Sequence, residues 1–365
     1  MDIIISGGGI TGCYTGQLLK KEGFNPVIME EHHEIGTPVQ CAGLIGRETI
    51  ETSSVAFPHH VIHRRIDGAR FWLKNEWFEI ERKGAAYVID RALLDRHFAR
   101  GLDIHTDEKV TGLHKKDVPI ERDTIPGSLH ITTQKGAYDC DIVLGCDGPF
   151  SRIRTADNFS LSTSYYPGAQ YVMDLPSEPD FIEVYLTPPF FIWKIPETEE
   201  TTRIGYVGPD PLHTLNRFLE RMEIRAEILD KQAGVIPLGS GEIAHRRVAL
   251  IGDAACQVKP MTGGGIFYGM KAAEIAVAHL NDLTEYEREW KRTIGKEIST
   301  GLKMRKIYES MNTKTLRRVF AVFKDNTDII EAMADFERHT SLVKAFIKYP
   351  VLLKLAGSYL KDFIT

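Results

Sequence analysis

MDIIISGGGITGCYTGQLLKKEGFNPVIME, residues 1–30, strings together a β-branched apolar run, a glycine cluster, a periodic apolar stretch and a second apolar run. That order predicts strand (3–6), turn (7–12), helix (11–22, closed by Gly23) and strand (26–30), a single βαβ unit. Within the turn, Gly7-Gly8-Gly9-Ile10-Thr11-Gly12 fits G-x-G-x-x-G. Gly7 permits the tight turn, Gly9 lets a pyrophosphate approach the backbone, and Gly12 lets the helix pack on the strand. The helix N-terminus then offers N–H donors and partial positive charge to phosphates. Glu30 ends the second strand, 18 residues after Gly12, where it accepts from ribose hydroxyls and repels a 2′-phosphate, which disfavours NADP. The hexapeptide alone is a weak signal. Strand, helix and acid around it lift it above a plain glycine turn.

The next stretch, EIGTPVQCAGLIG (residues 34–46), holds a proline, a cysteine and three glycines where a nucleotide-binding domain ordinarily has a polar connection. Beyond it the pattern predicts a hairpin over 69–80, a helix over 90–100 with Asp90 as N-cap, and strands at 110–113, 129–133 and 140–145. Between 165 and 208, strand-like runs separated by Pro- and Glu-rich turns predict an antiparallel sheet. Residues 211–231 read as a helix, 247–251 as a buried parallel strand, and the chain from 285 as helices broken at Pro350. The expected class is α/β with α+β inserts. The expected division is a discontinuous nucleotide-binding domain (1–155 plus 244–285, with a small hairpin insert), an antiparallel-sheet substrate domain (156–243) and a helical region (286–365).

Two more glycine-bearing loops follow buried strands. In Gly145-Cys146-Asp147-Gly148, Asp147 leaves a carboxylate at a strand end near a cofactor, although for this segment taken alone a plain type I turn is the favoured reading. In Ile251-Gly252-Asp253-Ala254-Ala255 and then Lys259-Pro260-Met261-Thr262-Gly263-Gly264-Gly265-Ile266, a strand ends in Gly-Asp and three glycines open a helix over 266–280. Asp253 is placed for ribityl hydroxyls, and the N–H groups at the helix start for an electron-rich ring edge. A second G-x-G-x-x-G match at 239–244 precedes a strand instead of following one and reads as a loop.

The 365 residues are 43% hydrophobic and 26% charged, ordinary for a globular protein, and a net charge of −5 argues against nucleic acid as a partner. Five cysteines show no CxxC pair and no metal-ligand spacing, so neither a disulfide framework nor a metal site is expected. The chain opens on a strand without a leader pattern, and no apolar run reaches the roughly 18 residues of a membrane span. A cytoplasmic location is expected. Residues 301–365 carry 12 Lys and Arg against 7 Asp and Glu, and 341–364 interleave apolar residues with lysines. That stretch suits either a peripheral membrane contact or a packed helix with lysines outward.

Taken in this order and spacing, the three loops resemble the FAD-dependent glutathione-reductase-type fold, in its p-hydroxybenzoate-hydroxylase-like branch. Pro38-Val39-Gln40-Cys41-Ala42-Gly43 is similar to the cysteine loop of the geranylgeranyl reductase family, archaeal digeranylgeranylglycerophospholipid reductases among them. Arg91-Ala92-Leu93-Leu94-Asp95 resembles that family's Arg-x-x-x-Asp helix start. Pro188-Pro189-Phe190-Phe191-Ile192-Trp193-Lys194-Ile195-Pro196 resembles its P-x-x-Y-x-W-x-F-P sheet motif, with Phe191 for Tyr and Ile195 for Phe. The resemblance implies a bound FAD held by Gly7, Gly9, Gly12, Glu30, Cys41, Ala42, Gly43, Arg91, Val110, Asp147, Asp253, Gly264, Gly265 and Ile266. It implies Phe191 and Trp193 as substrate wall, Cys41 as the catalytic candidate, a prenyl lipid or polyprenyl-quinone tail as substrate, and NAD(P)H, a deazaflavin or a ferredoxin as electron donor. Core packing alone also explains aromatics on a sheet, and a small buried hydrophobe is the plain reading of Cys41. A flavin monooxygenase or halogenase, and an FAD-binding regulator without catalysis, are the competing functions.

Overall fold

A computed structural model describes residues 1–115, 129–333, 335–338 and 340–341. Five strands, β1 (Ile3–Ser6), β2 (Val27–Met29), β6 (Asp103–His105), β10 (Ile142–Gly145) and β16 (Val248–Leu250), form a parallel sheet in the order β16-β10-β1-β2-β6. Buried on both faces, such strands read as continuous apolar runs, as IIIS and IVLG do. Helix α1 (Ile10–Lys21) packs on this sheet through Cys13, Tyr14, Leu18 and Leu19, beside α3 (Arg91–Ala99) and α6 (Ile266–Ala278). The strand order reverses at β1, and ligands of open α/β sheets bind where the carboxyl ends of strands meet such a switch. The loops after β1, β2, β10 and β16 carry Gly7–Gly12, Glu30, Asp147 and Asp253, so the topology gathers them at one edge.

A second sheet has eight strands in the order β15-β11-β14-β13-β12-β4-β5-β3. These are β3 (Leu44–Gly46), β4 (Ile62–Leu73), β5 (Glu76–Ile89), β11 (Leu161–Asp174), β12 (Phe181–Thr187), β13 (Phe190–Pro196), β14 (Thr201–Val207) and β15 (Ile228–Gly241). The hairpin expected at 69–80 spans 62–89, and it is continuous with the large sheet where the sequence suggested a small insert. The join is the parallel pairing of β4 with β12, a long-range contact that local alternation cannot reveal. A three-stranded meander, β7 (Val110–Lys115), β8 (Leu129–Thr133) and β9 (Ala137–Cys140), completes the β structure. The run expected as one strand at 140–145 is therefore split between β9 and β10 at Asp141.

The other helices are α2 (Arg47–Glu51), α4 (Arg152–Ala156), α5 (Pro211–Arg221), α7 (Leu283–Thr293), α8 (Gly295–Ser310), α9 (Thr313–Lys324) and α10 (Thr327–Met333). Helix α5 stops ten residues short of the expected end. Glu223 takes a left-handed conformation (φ 53°), and Ile224 N–H bonds the Leu219 carbonyl, a C-terminal cap made without glycine. The rest of that stretch pairs with β11 as β15, which also absorbs Gly239 to Gly241, read as loop from the sequence. The amphipathic stretch at 341–364 lies, except for Ser341, outside the described residues. Among the described residues no helix is long and apolar enough to cross a membrane.

Candidate active site

At the phosphate end, a Cβ on Gly7 would sit 2.4 Å from the Cys146 carbonyl oxygen and one on Gly12 1.9 Å from that of Gly7. Both glycines are demanded by packing within the protein. A Cβ on Gly9 would meet nothing within 4 Å, so the space above it is open. No side chain caps the N-terminus of α1, and no acid sits in its first turn. Glu30 is buried and accepts from the Gly8 N–H (2.6 Å) and the His32 N–H (2.8 Å), which fixes its carboxylate against the glycine loop. Val110 opens β7 and is buried in the core, two residues after Glu108, whose N–H bonds the Glu30 carbonyl.

Asp147 does two things. Its Oδ2 accepts from the Arg152 (2.7 Å) and Ile153 (3.2 Å) N–H groups at the start of α4, as a turn residue would. Its Oδ1 is buried without a partner, and burial pushes the carboxyl up. Buried polar atoms are rarely left unpaired, so this orphan calls for a ligand group. Asp253, in the loop after β16, has its carboxyl pushed up to about 6 by burial, with the Arg91 guanidinium opposing. A Cβ on Gly265, the N-cap of α6, would lie 2.9 Å from Asp253 Oδ1, so the carboxyl meets the uncapped start of that helix beside Gly264 and Ile266. Open space at Gly9, two uncapped helix starts and an orphaned carboxylate oxygen fit a pyrophosphate and a hydroxyl-bearing chain ending in a polar ring edge, the make-up of FAD.

The cysteine loop lies between this edge and the large sheet. The Ile89 N–H donates to the Gly43 carbonyl (2.8 Å), Arg203 to that of Ala42 (2.8 Å), and the Gln170 amide to that of Cys41 (3.4 Å). Gly43 has φ 69°, and a Cβ there would lie 2.1 Å from the Arg203 guanidinium. Arg91 is bidentate to Asp95 at 3.0 Å. Burial opposes its charge, but the neighbouring Asp95 carboxylate and Cys41 sulfur outweigh that and raise its pKa. The same guanidinium acts on Asp253, so Cys41, Arg91 and Asp253 converge. Cys41 is half-buried, whereas Cys13, Cys140, Cys146 and Cys256 are buried and their thiols are pushed up by burial.

Phe191 and Trp193, on β13, are half-buried and meet edge to face, with ring centroids 6.3 Å apart. Trp193 lies across Gly205 of β14, where a Cβ would be 2.2 Å from the indole. Its Nε1–H donates to Gln170 Oε1 (2.8 Å), and the Gln170 amide donates on to Gln232 (2.7 Å) as well as to Cys41. The sheet motif and the cysteine loop are therefore linked through one buried glutamine. Gln170, Arg203 and Glu337, whose carboxylate accepts from the Gly46 N–H (2.9 Å), were missed from sequence; each is a lone polar residue with no motif around it.

The fold and this site are those of an FAD-dependent oxidoreductase. A geranylgeranyl bacteriochlorophyll reductase-like protein from Thermoplasma acidophilum shares the fold with a TM-score of 0.82 at 20% identity, over 99% of this chain and 98% of that one. No protein-family model matches the chain. An uncharacterised protein of Methanocaldococcus jannaschii is 30% identical over 93% of both chains. A digeranylgeranylglycerophospholipid reductase of Methanosarcina acetivorans is 28% identical over 94% of this chain and 93% of its own. The chain belongs to the geranylgeranyl reductase family of flavoenzymes.

Proposed function

We propose that the protein reduces C=C bonds in the prenyl chains of a geranylgeranyl-type lipid. The observation that carries this reading is the cysteine loop, anchored to the sheet through three consecutive carbonyls and placed beside Arg91. Gly9 would admit the pyrophosphate to a loop that Gly7 and Gly12 hold tight by their packing, Glu30 would take the ribose, Asp253 the ribityl hydroxyls, and Gly264 to Ile266 the ring edge. FAD held there in its reduced form would supply the hydride for one alkene carbon, with reducing equivalents drawn from an external electron donor. An isolated alkene has no group to stabilise developing charge, so the protein must exclude water and position a proton source. Phe191 and Trp193 supply apolar wall. Cys41 Sγ holds the proton that completes the second carbon, and solvent reprotonates the sulfur once the product has left.

A monooxygenase or halogenase would need oxygen, which separates the two readings. The test is anaerobic: reduced enzyme mixed with a geranylgeranyl lipid, followed by flavin absorbance. Reoxidation without oxygen is the expected result, and inertness toward several prenyl lipids and a polyprenyl quinone overturns the reading. The lysine-bearing tail is assigned to a peripheral membrane contact where such lipids reside. Loss of liposome sedimentation on truncation near residue 340 checks that assignment.

A further inference from the structure

Lys259 and Glu337 form an ion pair in the protein interior, 2.8 Å apart, with both residues almost fully buried. Lys259 is the closing residue of the glycine loop: its N–H bonds the Gly264 carbonyl, and its own carbonyl accepts from Thr262 and Gly263. Its side chain runs directly beneath Gly264, where a Cβ would lie 2.8 Å from Cε and 3.4 Å from Nζ. Glu337 arrives 78 residues later and does more than neutralise that charge. Its Oε1 accepts from the Gly46 N–H (2.9 Å) at the end of the cysteine loop and from the Thr49 hydroxyl (2.8 Å). Its carbonyl accepts from Tyr268 on α6 (2.9 Å), and the Lys259 ammonium sits over the Phe336 ring. One carboxylate thus touches the cysteine loop on one side and the glycine loop on the other.

We infer that Glu337 is a positioning residue that ties the two flavin-facing loops together and masks the Lys259 charge beneath Gly264, thereby setting the reduction potential of the bound flavin. The inference rests on the assignment of residues 259–266 to the flavin ring edge. In an interior shielded from solvent, a charge close to that edge is felt strongly, because little water screens it. Reduction places negative charge on the flavin. An unmasked Lys259 favours the reduced form, whereas an unpaired Glu337 disfavours it.

The experiment measures flavin midpoint potential in three variants, alongside FAD affinity. Glu337→Gln is expected to raise the potential and Lys259→Met to lower it, with the double variant between them. A purely structural latch would move both single variants in one direction, and that outcome, or an unmoved potential in both, overturns the inference. Should a neutral variant not fold, Glu337→Asp and Lys259→Arg keep both charges. These are expected to hold the wild-type potential while FAD affinity falls, and a potential that moves instead overturns the inference. Gly265→Val separates the underlying assignment, since unimpaired FAD binding by that variant means the ring edge lies elsewhere.

Discussion

Arg203 on β14 donates to the carbonyl oxygen of Ala42 at 2.8 Å, across 161 residues of sequence. Its other amine pairs with Glu197, and the guanidinium is buried. The contact joins the large sheet to the residue next to Cys41, so the sheet holds both the substrate wall and the cysteine loop. Gln170 repeats the arrangement one residue earlier, and it is also the partner of Trp193. Substrate wall and thiol are therefore referred to one rigid frame.

Replacing Arg203 tests that frame. Arg203→Met strips Glu197 of its guanidinium, leaving it only the Thr201 hydroxyl at 3.4 Å and the His63 ring at 3.9 Å, and leaves the Ala42 carbonyl without its Arg203 donor; removing one partner of a buried pair costs about 3–5 kcal/mol. Urea unfolding should show that loss, with turnover falling further than FAD affinity because the displaced group is Cys41. A loss under about 1 kcal/mol would mean that Arg203 does not anchor the loop.

The glycine loop predicts opposite outcomes for two similar changes. Gly12→Ala forces a Cβ to 1.9 Å from a backbone oxygen, so the flavin-free protein should lose at least about 2 kcal/mol. Gly9 has φ −70°, which suits alanine, and nothing lies within 4 Å of the new methyl. Gly9→Ala should therefore leave flavin-free stability within about 0.5 kcal/mol while weakening FAD binding at least tenfold, about 1.4 kcal/mol. Equal stability losses in calorimetry would count against an open phosphate cradle.

Much of this could be read in advance because the nucleotide edge is built from local signals. Residues 1–30 set strand, turn and helix by short-range pattern, and Asp90 caps α3 as its residue type suggests, accepting from the Leu93 N–H at 2.8 Å. The misses share a physical cause. Helix α5 ends at Arg221 and is closed by Glu223 two residues on, and a left-handed glutamate leaves no mark in the sequence, whereas glycine would have. The β4–β12 pairing and the anchors Gln170, Arg203 and Glu337 depend on residues more than a hundred positions from their partners. Long-range pairing of lone polar residues has no periodicity to detect.

Asp253 makes stability and cofactor binding depend on pH in opposite directions. Burial raises its carboxyl from 3.8 to about 6 in the folded chain. The folded protein therefore holds the proton more tightly than the unfolded one. Stability is undiminished below pH 3.8 and is lost as pH rises through 6, by about 3 kcal/mol at 1.36 kcal/mol per unit. Asp253→Asn should regain up to that amount in flavin-free protein at pH 8 and nothing near pH 4, by urea unfolding. Hydroxyl donors favour the charged carboxylate, so wild-type FAD affinity should rise between pH 5 and 7 and that of Asp253→Asn should not. A pH-independent stability difference between the two proteins would remove Asp253 as the source.

Cys41 is the half-buried thiol among five cysteines, whereas the other four are buried, and it lies beside the Arg91 guanidinium. Iodoacetamide should therefore modify one site in the folded flavin-free protein, with Cys41→Ser abolishing the label and bound FAD protecting against it. If the thiol delivers the proton, Cys41→Ser retains FAD because the loop keeps its three carbonyl anchors, and a serine hydroxyl can still accept from the Gly43 N–H that the sulfur accepts from at 3.3 Å. Its single-turnover rate with a prenyl lipid should fall roughly 10²-fold or more, the usual worth of a positioned acid. Serine fills nearly the same space, but an alcohol is a far weaker acid than a thiol. A labelled Cys41 whose serine variant turns over at the wild-type rate would show that the thiol shapes the pocket and donates nothing.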